Sequence, residues 1–319
     1  MFSRLAHFIC GVLLCANAHA QGFPNKPVRL VVPFPPGASN DIIGRIIGQK
    51  LSEALGQIMV IDNRGGAGGA IGAEIVARSP ADGYTLLATS TTYTTNYVMQ
   101  VRPAFDALND MTAVAMIGKA PMLVTLHPAL PAKSVRELIA LAGAQPDKIN
   151  YASSGNGSAV HFVTELFKSE ARIAMTHVPY KGLGPALNDL VGGQTQVLIA
   201  SLPSVLPQVK AKRLNAIAVT SLKRSSFVPD LPTVDKSGLP GFSSELWWGL
   251  LAPARTSVPF LEQLNSAVRT LLATDEVKQR LAFEGAMPVS LEYRKFKCDT
   301  RSLVVVVLTI KEGTARVTG

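Results

Sequence analysis

The sequence predicts an α/β protein with two lobes, each a mainly parallel sheet flanked by helices. Short β-branched and apolar runs alternate with stretches of helical periodicity, which is typical of parallel sheets covered by helices. One local plan, a strand followed by a glycine-rich turn and a helix, occurs near the N-terminus and again near mid-chain. A chain of 319 residues also buries a sizeable core and is commonly divided into two domains.

The first lobe is predicted to begin with three strands and two helices. The strands span residues 28–34, 58–62 and 84–88, and the helices span residues 41–55 and 71–78. Apolar residues recur at helical spacing in the longer helix: Ile42, Ile43, Ile46, Ile47 and Leu51. This βαβαβ order predicts right-handed crossovers and a ligand site at the carboxyl ends of the strands.

The second lobe continues the alternation. Strands are predicted at residues 113–117, 122–126, 149–152, 177–179, 197–200 and 214–220, and helices at 134–142, 159–168 and 185–191. A proline-rich passage, residues 227–240, is interpreted as the return to the first lobe, which helices at 259–273 and 275–283 then cover. We expect lobe I to comprise residues 24–123 and 224–319, and lobe II residues 124–223.

Residues 1–20 are predicted to be a cleavable signal peptide. They combine an early positive charge, a short apolar run and an A-x-A site. The apolar run is too short to span a bilayer. Lipidation at Cys15 is the alternative, although the bulky Leu14 stands where a lipoprotein site takes a small residue. After cleavage only Cys298 remains, so no intrachain disulfide can form.

The chain is basic, with a formal net charge of +9. Residues 294–319 hold six Lys or Arg against two acidic residues, which is close to half of the excess. The other basic residues are scattered, and no basic run is interleaved with aromatic residues. We therefore expect no nucleic-acid partner, whereas a mild positive field favours acidic ligands.

The most informative motif is the turn Pro33-Phe34-Pro35-Pro36-Gly37-Ala38-Ser39-Asn40-Asp41, which follows the first strand and begins a helix. Asn40 or Asp41 is expected to cap that helix. Free N–H groups at a helix N-terminus, together with the helix dipole, attract anions. Since the turn contains no Lys, Arg, His or Cys, it favours binding over chemistry. The candidate ligand-binding residues are Pro36, Gly37, Ala38, Ser39 and Asp41.

A second turn, residues 153–158, has the same plan. Its glycines permit close backbone approach, and its serine hydroxyls can donate to a carboxylate. The candidate ligand-binding residues are Ser153, Ser154, Gly155, Gly157, Ser158 and His161. The alternatives are a purely structural helix cap at Ser158 and a nucleophile pair of Ser154 with His161. No G-x-S-x-G elbow supports the nucleophile pair.

Three further positions are candidates for the pocket wall. Thr91 lies in a hydroxyl-rich segment after the third strand, and Tyr180 and Gly182 lie in the turn after residues 177–179. Lys181 between them is interpreted as a solvated charge.

Other patterns are interpreted as structural. The glycine-rich stretch at residues 66–72 lacks the spacing and the acidic residue of a dinucleotide site, and indicates tight packing in a loop near the cleft. The five histidines show no metal-ligand spacing, and we expect neither a metal nor another cofactor. Trp247 and Trp248 are expected to pack in the core.

Together these motifs resemble the substrate-binding proteins of tripartite tricarboxylate transporters, the Bug-type or TctC-like family. They occur between about residues 24 and 292. The matching segments are Lys26-Pro27-Val28-Arg29, Val32-Pro33-Phe34-Pro35-Pro36-Gly37, Asn63-Arg64, Gly66-Ala67-Gly68-Gly69, Asp82-Gly83-Tyr84-Thr85-Leu86-Leu87, Ser153-Ser154-Gly155, His161, Val178-Pro179-Tyr180-Lys181-Gly182 and Pro229-Asp230-Leu231-Pro232-Thr233. The resemblance implies a type II periplasmic binding protein, a two-lobed Venus flytrap that binds a small carboxylate between its lobes.

The resemblance also implies roles for the candidates. The two turns would hold the carboxylate through Pro36, Gly37, Ser39, Asp41, Ser154, Gly155, Gly157 and His161, with Thr91 and Tyr180 beside them. The ligand would pass to inner-membrane permease subunits from a monomeric, non-enzymatic periplasmic receptor. Three features depart from the family pattern. Ala38 stands where a glycine is usual, an acidic residue common before the Leu-Pro-Ser turn is replaced near Ala200, which would alter ligand choice, and residues 293–319 are basic and valine-rich. A ligand-dependent sensor of a membrane signalling protein and an exported serine hydrolase are the alternative functions.

Overall fold

The computed structural model describes residues 23–99 and 104–296. The predicted signal peptide, Cys298 and most of the atypical tail lie outside these residues. Within the tail, Tyr293 and Phe296 are described, and both are buried. None of the helices in the described ranges combines the length and the apolar character that a membrane span requires.

Strands and helices alternate along the described chain. The strands are β1 (Val28–Val32), β2 (Met59–Asn63), β3 (Thr85–Ser90), β4 (Met111–Leu126), β5 (Asn150–Ser153), β6 (Thr176–Pro179), β7 (Val197–Ser201), β8 (Asn215–Val219), β9 (Glu245–Pro253) and β10 (Met287–Pro288). The helices are α1 (Ser39–Leu55), α2 (Ala70–Ala77), α3 (Thr92–Met99), α4 (Val135–Ala144), α5 (Ala159–Ala171), α6 (Leu183–Val191), α7 (Leu202–Lys210), α8 (Val258–Ala273) and α9 (Asp275–Phe283).

The strands form two sheets that share β4. The first has the order β2–β1–β3–β9–β4, and the second has the order β4–β7–β5–β6. β1 pairs in parallel with β2 and β3, and β5 pairs in parallel with β6 and β7. β9 is antiparallel to β3 and β4, and β7, β8 and β10 are antiparallel to β4. The predicted two-lobed α/β fold is confirmed, and the antiparallel strands make each sheet mixed.

The long strand β4 joins the two lobes. Two separate strands were expected at residues 113–117 and 122–126, but they are parts of one 16-residue strand. Residues 111–121 pair with β9, whereas residues 122–126 pair with β7 and β8. Gly118 and Pro121 lie inside the strand and favour the wrong expectation of a break. The lobe boundaries near residues 123 and 224 stay a prediction.

Four elements carry no sequence prediction: helices α3 and α7 and strands β9 and β10. Strand β9 is buried along almost its whole length, so it lacks the alternation that marks a half-exposed strand. Helix α7 has Pro203 in its first turn and Pro207 inside, and prolines argue against a helix in a single sequence. β9 and α7 matter for the site, because Leu246 of β9 and Ser201, the N-cap of α7, both line the cleft.

Helix α1 packs closely on the first sheet and thereby positions the first turn. A Cβ atom at Gly48 would lie 3.1 Å from Ile61 Cδ1, so the glycine allows close approach of helix and sheet. The helix begins after Ala38, which makes no side-chain capping bond. The expected cap at Asn40 or Asp41 is therefore wrong: both residues lie in the first helical turn.

Candidate functional site

A cleft at the carboxyl ends of β1, β3, β5 and β7 contains two chambers that share Phe34 and Ser154. The inner chamber lies between Ala38, Ser39 and Asn40 on one side and Ser154, Ala159 and Val160 on the other, with a volume of about 30 Å³. The outer chamber lies between residues 66–69 and Gly155, Asn156, Tyr180 and Lys181, with a volume of about 240 Å³. The sequence correctly predicted that both turns, and the loop at residues 66–72, lie near one cleft.

The N-termini of several helices converge on the inner chamber. Its lining includes the first residues of α1, α3, α5 and α6, and Ser201, the N-cap of α7. No charged side chain lines this chamber among the described residues. Helix N-termini carry partial positive charge and orphan N–H groups, so the chamber favours an anion held by neutral donors.

Asn40 is the clearest donor that the sequence analysis did not select for the ligand. Asn40 is 4% exposed and lines the inner chamber, and its Nδ2 atom has no hydrogen-bond partner among the described residues. A buried amide without a partner costs about 1–3 kcal/mol. An oxygen atom of a bound molecule would satisfy this donor.

Hydroxyl groups from three other elements complete the inner wall. Ser90 ends β3, Thr92 begins α3 and Ser201 ends β7, and all three line the inner chamber. The hydroxyl-rich segment 89–96 indicated part of this wall. Ser201 was not among the predicted residues, although the departure from the family pattern near Ala200 adjoins it. Its position depends on the order of the strands, which the sequence alone does not give.

Behind the first turn, Asp41 organises the backbone. Its Oδ2 atom accepts a hydrogen bond from the Gly37 N–H (2.9 Å), and its Oδ1 atom accepts from Asn63 Nδ2 (2.9 Å) and Arg45 Nε (2.9 Å). Burial opposes the charged form, but these hydrogen bonds outweigh it and hold the pKa of Asp41 below its usual value. Pro36, Gly37 and Asp41 therefore support the first turn and do not line either chamber.

Neutral groups support the second turn. Ser158 accepts the His161 N–H (3.2 Å) and so caps α5, as the structural alternative predicted. His161 Nδ1 accepts the N–H of Gly157 (3.2 Å). Ser153 Oγ accepts the N–H of Gly155 (3.2 Å) and lies 2.6 Å from His177 Nε2. Of this turn, Ser154, Gly155 and Asn156 line the cleft, and Asn156 was not among the predicted site residues.

The two histidines belong to a stack of three rings. His177 lies between Tyr151 and His161, with ring centroids 4.8 Å and 4.1 Å apart. Below the stack, Glu165 accepts hydrogen bonds from the Tyr151 hydroxyl and from Lys168. Burial, together with His161, lowers the pKa of His177 to about 4, and burial also lowers the pKa of His161. Both imidazoles are therefore neutral at pH 7, and the His161 ring acts towards the turn as a hydrogen-bond acceptor.

The remaining candidates occupy the edges of the cleft. Tyr180 lines the outer chamber, and its hydroxyl donates to Asp189 (2.6 Å). Burial and this carboxylate raise the pKa of Tyr180 to about 12. A Cβ atom at Gly182 would contact Pro35 at 3.3 Å, so this turn reaches the first one. Thr91 lies behind the wall, where its hydroxyl accepts the N–H of Trp247 (3.0 Å).

The two sides of the cleft touch one another. Thr95 Oγ1 donates to the Gly157 carbonyl (3.1 Å), and the Ala159 N–H donates to Thr92 Oγ1 (3.2 Å). A Cβ atom on Gly68 would lie 2.3 Å from the carbonyl oxygen of Asn156. Helix α3 and the Gly68 turn therefore close directly against the second turn.

Two alternatives to simple binding, a catalytic Ser–His pair and a metal site, can be compared with this geometry. In the described ranges, no hydrogen bond joins Ser154 to His161; the Ser–His contact that forms is between Ser153 and His177, and Ser153 is completely buried. The same ranges contain no group of three or more His, Cys, Asp or Glu residues that could hold a metal ion.

Comparison with known proteins identifies the family. A family model described as "Tripartite tricarboxylate transporter family receptor" matches residues 43–302. The chain belongs to this family. The receptor is 36% identical over 284 residues to protein BugT of Bordetella pertussis, an alignment that covers 88% of this chain and 87% of BugT. The resemblance that the sequence motifs predicted is thereby confirmed.

Solved structures agree with this assignment. The receptor superposes on the structure of Rhodopseudomonas palustris Rpa4515 with adipate at a TM-score of 0.87 and 34% identity, covering 91% of this chain and 98% of that one. It superposes on MatC from the same organism, with bound malate, at a TM-score of 0.86 and 29% identity, covering 91% and 100% of the two chains. The receptor therefore has the fold of periplasmic solute-binding proteins.

Proposed function

We propose that the receptor binds a small organic acid between its lobes and delivers it to the membrane subunits of a tripartite transporter. The observation that carries this proposal is the unpartnered Asn40 amide in a chamber formed by helix N-termini and lacking charged side chains. Each hydrogen bond from a neutral donor to a charged acceptor contributes about 1.5–3 kcal/mol. A few such bonds approach the roughly 8 kcal/mol of micromolar binding.

The size of the inner chamber supports a carboxylate head group. One water occupies roughly 10–15 Å³ of such a volume. The inner chamber, at about 30 Å³, therefore has room for two oxygen atoms, as in one carboxylate. The ligands of the two related structures, adipate and malate, are both carboxylates.

Calorimetry tests the binding step. Adipate and malate should bind the purified receptor with one saturable site, whereas adipamide, the uncharged analogue of adipate, should not bind. Replacing Asn40 with Leu removes the donor at similar volume and should weaken adipate binding by about tenfold or more. The matched control is Thr195→Val, which removes another unpartnered buried polar atom outside the chambers and should leave affinity unchanged.

Two results would reject the proposal that the receptor binds the acid without transforming it. One is turnover of the acid, as the hydrolase alternative requires. The other is equal binding of adipate and adipamide, which would show that the carboxylate is not what the chamber recognises.

Export and delivery form the second part of the proposal. We infer a periplasmic receptor from the predicted signal peptide and from family membership. Deleting the receptor should abolish uptake of the labelled acid by cells, and the full-length chain should restore it. Normal uptake combined with a lost transcriptional response to the acid would instead favour the sensor alternative.

A further inference from the structure

The outer chamber differs from the inner one in charge. Lys181 is the one charged side chain that lines either chamber in the described part of the chain. It is exposed, and its ammonium group forms no ion pair with a described carboxylate. The sequence analysis interpreted Lys181 as a solvated charge, but the fold places it in the wall of the cleft.

The two chambers lie side by side. They share Phe34 and Ser154, so a ligand whose first carboxylate fills the inner chamber has the outer chamber next to it. The outer chamber is about eight times larger, at about 240 Å³ against about 30 Å³, and accommodates the rest of the ligand. Its lining includes four glycines, Asn156, Tyr180 and Lys181.

The charge balance indicates which ligand suits this arrangement. One carboxylate in the inner chamber is compensated by neutral dipoles. A second carboxylate in the outer chamber would lose water when the cleft closes and would need a compensating charge there. An apolar chain end would gain nothing from the ammonium group.

We propose that Lys181 makes the outer chamber a second anion subsite, which gives the receptor a preference for acids with a second acidic group over acids that end in an apolar chain. Lys181 is thus a specificity-determining residue. This inference rests on the proposed function, because it assigns the first carboxylate to the inner chamber.

A pair of ligands of equal length tests the inference. Adipate and hexanoate both have six carbon atoms, but hexanoate has only one carboxylate. Calorimetry at low salt should show that Lys181→Met weakens adipate binding by about fivefold or more and leaves hexanoate binding unchanged. Lys181→Arg keeps the positive charge and should keep the preference for adipate.

A matched control separates the local charge from the net charge. Lys133 is exposed and lies away from both chambers, and Lys133→Met should alter neither affinity. Unchanged adipate binding by Lys181→Met would overturn the inference, as would an equal loss for both ligands. If the unmodified receptor binds neither acid, the proposed function fails as well; if it binds both equally, only the second subsite is rejected.

Discussion

The two sides of the cleft share one plan, a strand, a tight turn and a helix, but they are supported by different chemistry. On the first side, the turn amide at Gly37 bonds to the buried Asp41 carboxylate, which pairs with Arg45. On the second side, the amides of Gly155 and Gly157 bond to Ser153 and to the neutral ring of His161. Two turns with the same order of strand, turn and helix can therefore lose their supporting hydrogen bonds at different pH, because a carboxylate supports one and an imidazole supports the other.

The largest expected effect comes from forcing the two sides apart. A Cβ atom at Gly68 would meet the Asn156 carbonyl at 2.3 Å, and a backbone atom cannot rotate away. Gly68→Ala should therefore destabilise the conformation in which the two sides of the cleft touch by about 3 kcal/mol, which is the upper end of the usual cost of overpacking. Calorimetry should show adipate affinity reduced by about 100-fold.

Backbone strain alone must be excluded as the cause. Gly56 has a similar positive φ, 68° against 62° at Gly68, and nothing lies within 4 Å of its Cβ position. Gly56→Ala should carry the same left-handed strain and leave ligand affinity unchanged. Equal losses in the two variants would show that strain, and not the contact across the cleft, reduces binding.

The second prediction uses pH to separate the two sides. The pKa of His177 is lowered to about 4 in the folded receptor, against 6.5 for an ordinary histidine, so the unfolded chain binds more protons between these values. The free energy of unfolding should be fully retained above about pH 6.5 and fall as the pH drops toward 4, by at most about 1.4 kcal/mol per pH unit for each histidine. The pKa of Asp41 lies below its ordinary value of 3.8, so its support is lost only at lower pH.

Urea denaturation between pH 4.5 and 7.5 measures this slope. His177→Gln removes one titrating ring of the stack and should reduce the slope. Identical slopes for the unmodified receptor and His177→Gln would contradict the role assigned to the histidine stack.

The sequence was sufficient for the positions of both turns and for part of the cleft lining. Ala38, Ser39 and Ser154 lie between the end of a strand and the first turn of the next helix, and this local order predicts where they lie. The sequence was not sufficient for the direction of side chains. Asp41 and His161 point back to support their turns, and residue spacing does not distinguish that orientation from one facing a ligand.

Long-range strand order accounts for much of what was missed. Ser201 reaches the inner chamber because β7 pairs with the second half of β4. The continuity of β4 could not be predicted from local patterns because Gly118 and Pro121 interrupt the strand. The insertion of β9 beside β3 could not be predicted because β9 is buried nearly throughout. The partner of a buried strand is set by the whole sheet and not by its own residues.

The smallest expected effect concerns Ser158. The sequence was compatible with two roles for its hydroxyl, a ligand contact or a helix cap. It is fully buried, accepts the N–H of His161 and lines neither chamber. Ser158→Ala should therefore lower the free energy of unfolding by about 1 kcal/mol, the usual value of a cap, and keep adipate affinity within about twofold. Ser134→Ala removes the equivalent cap of α4, far from the cleft, and is the matched control. A large loss of adipate affinity in Ser158→Ala, without one in Ser134→Ala, would show that the Ser158 hydroxyl binds the ligand in addition to capping α5.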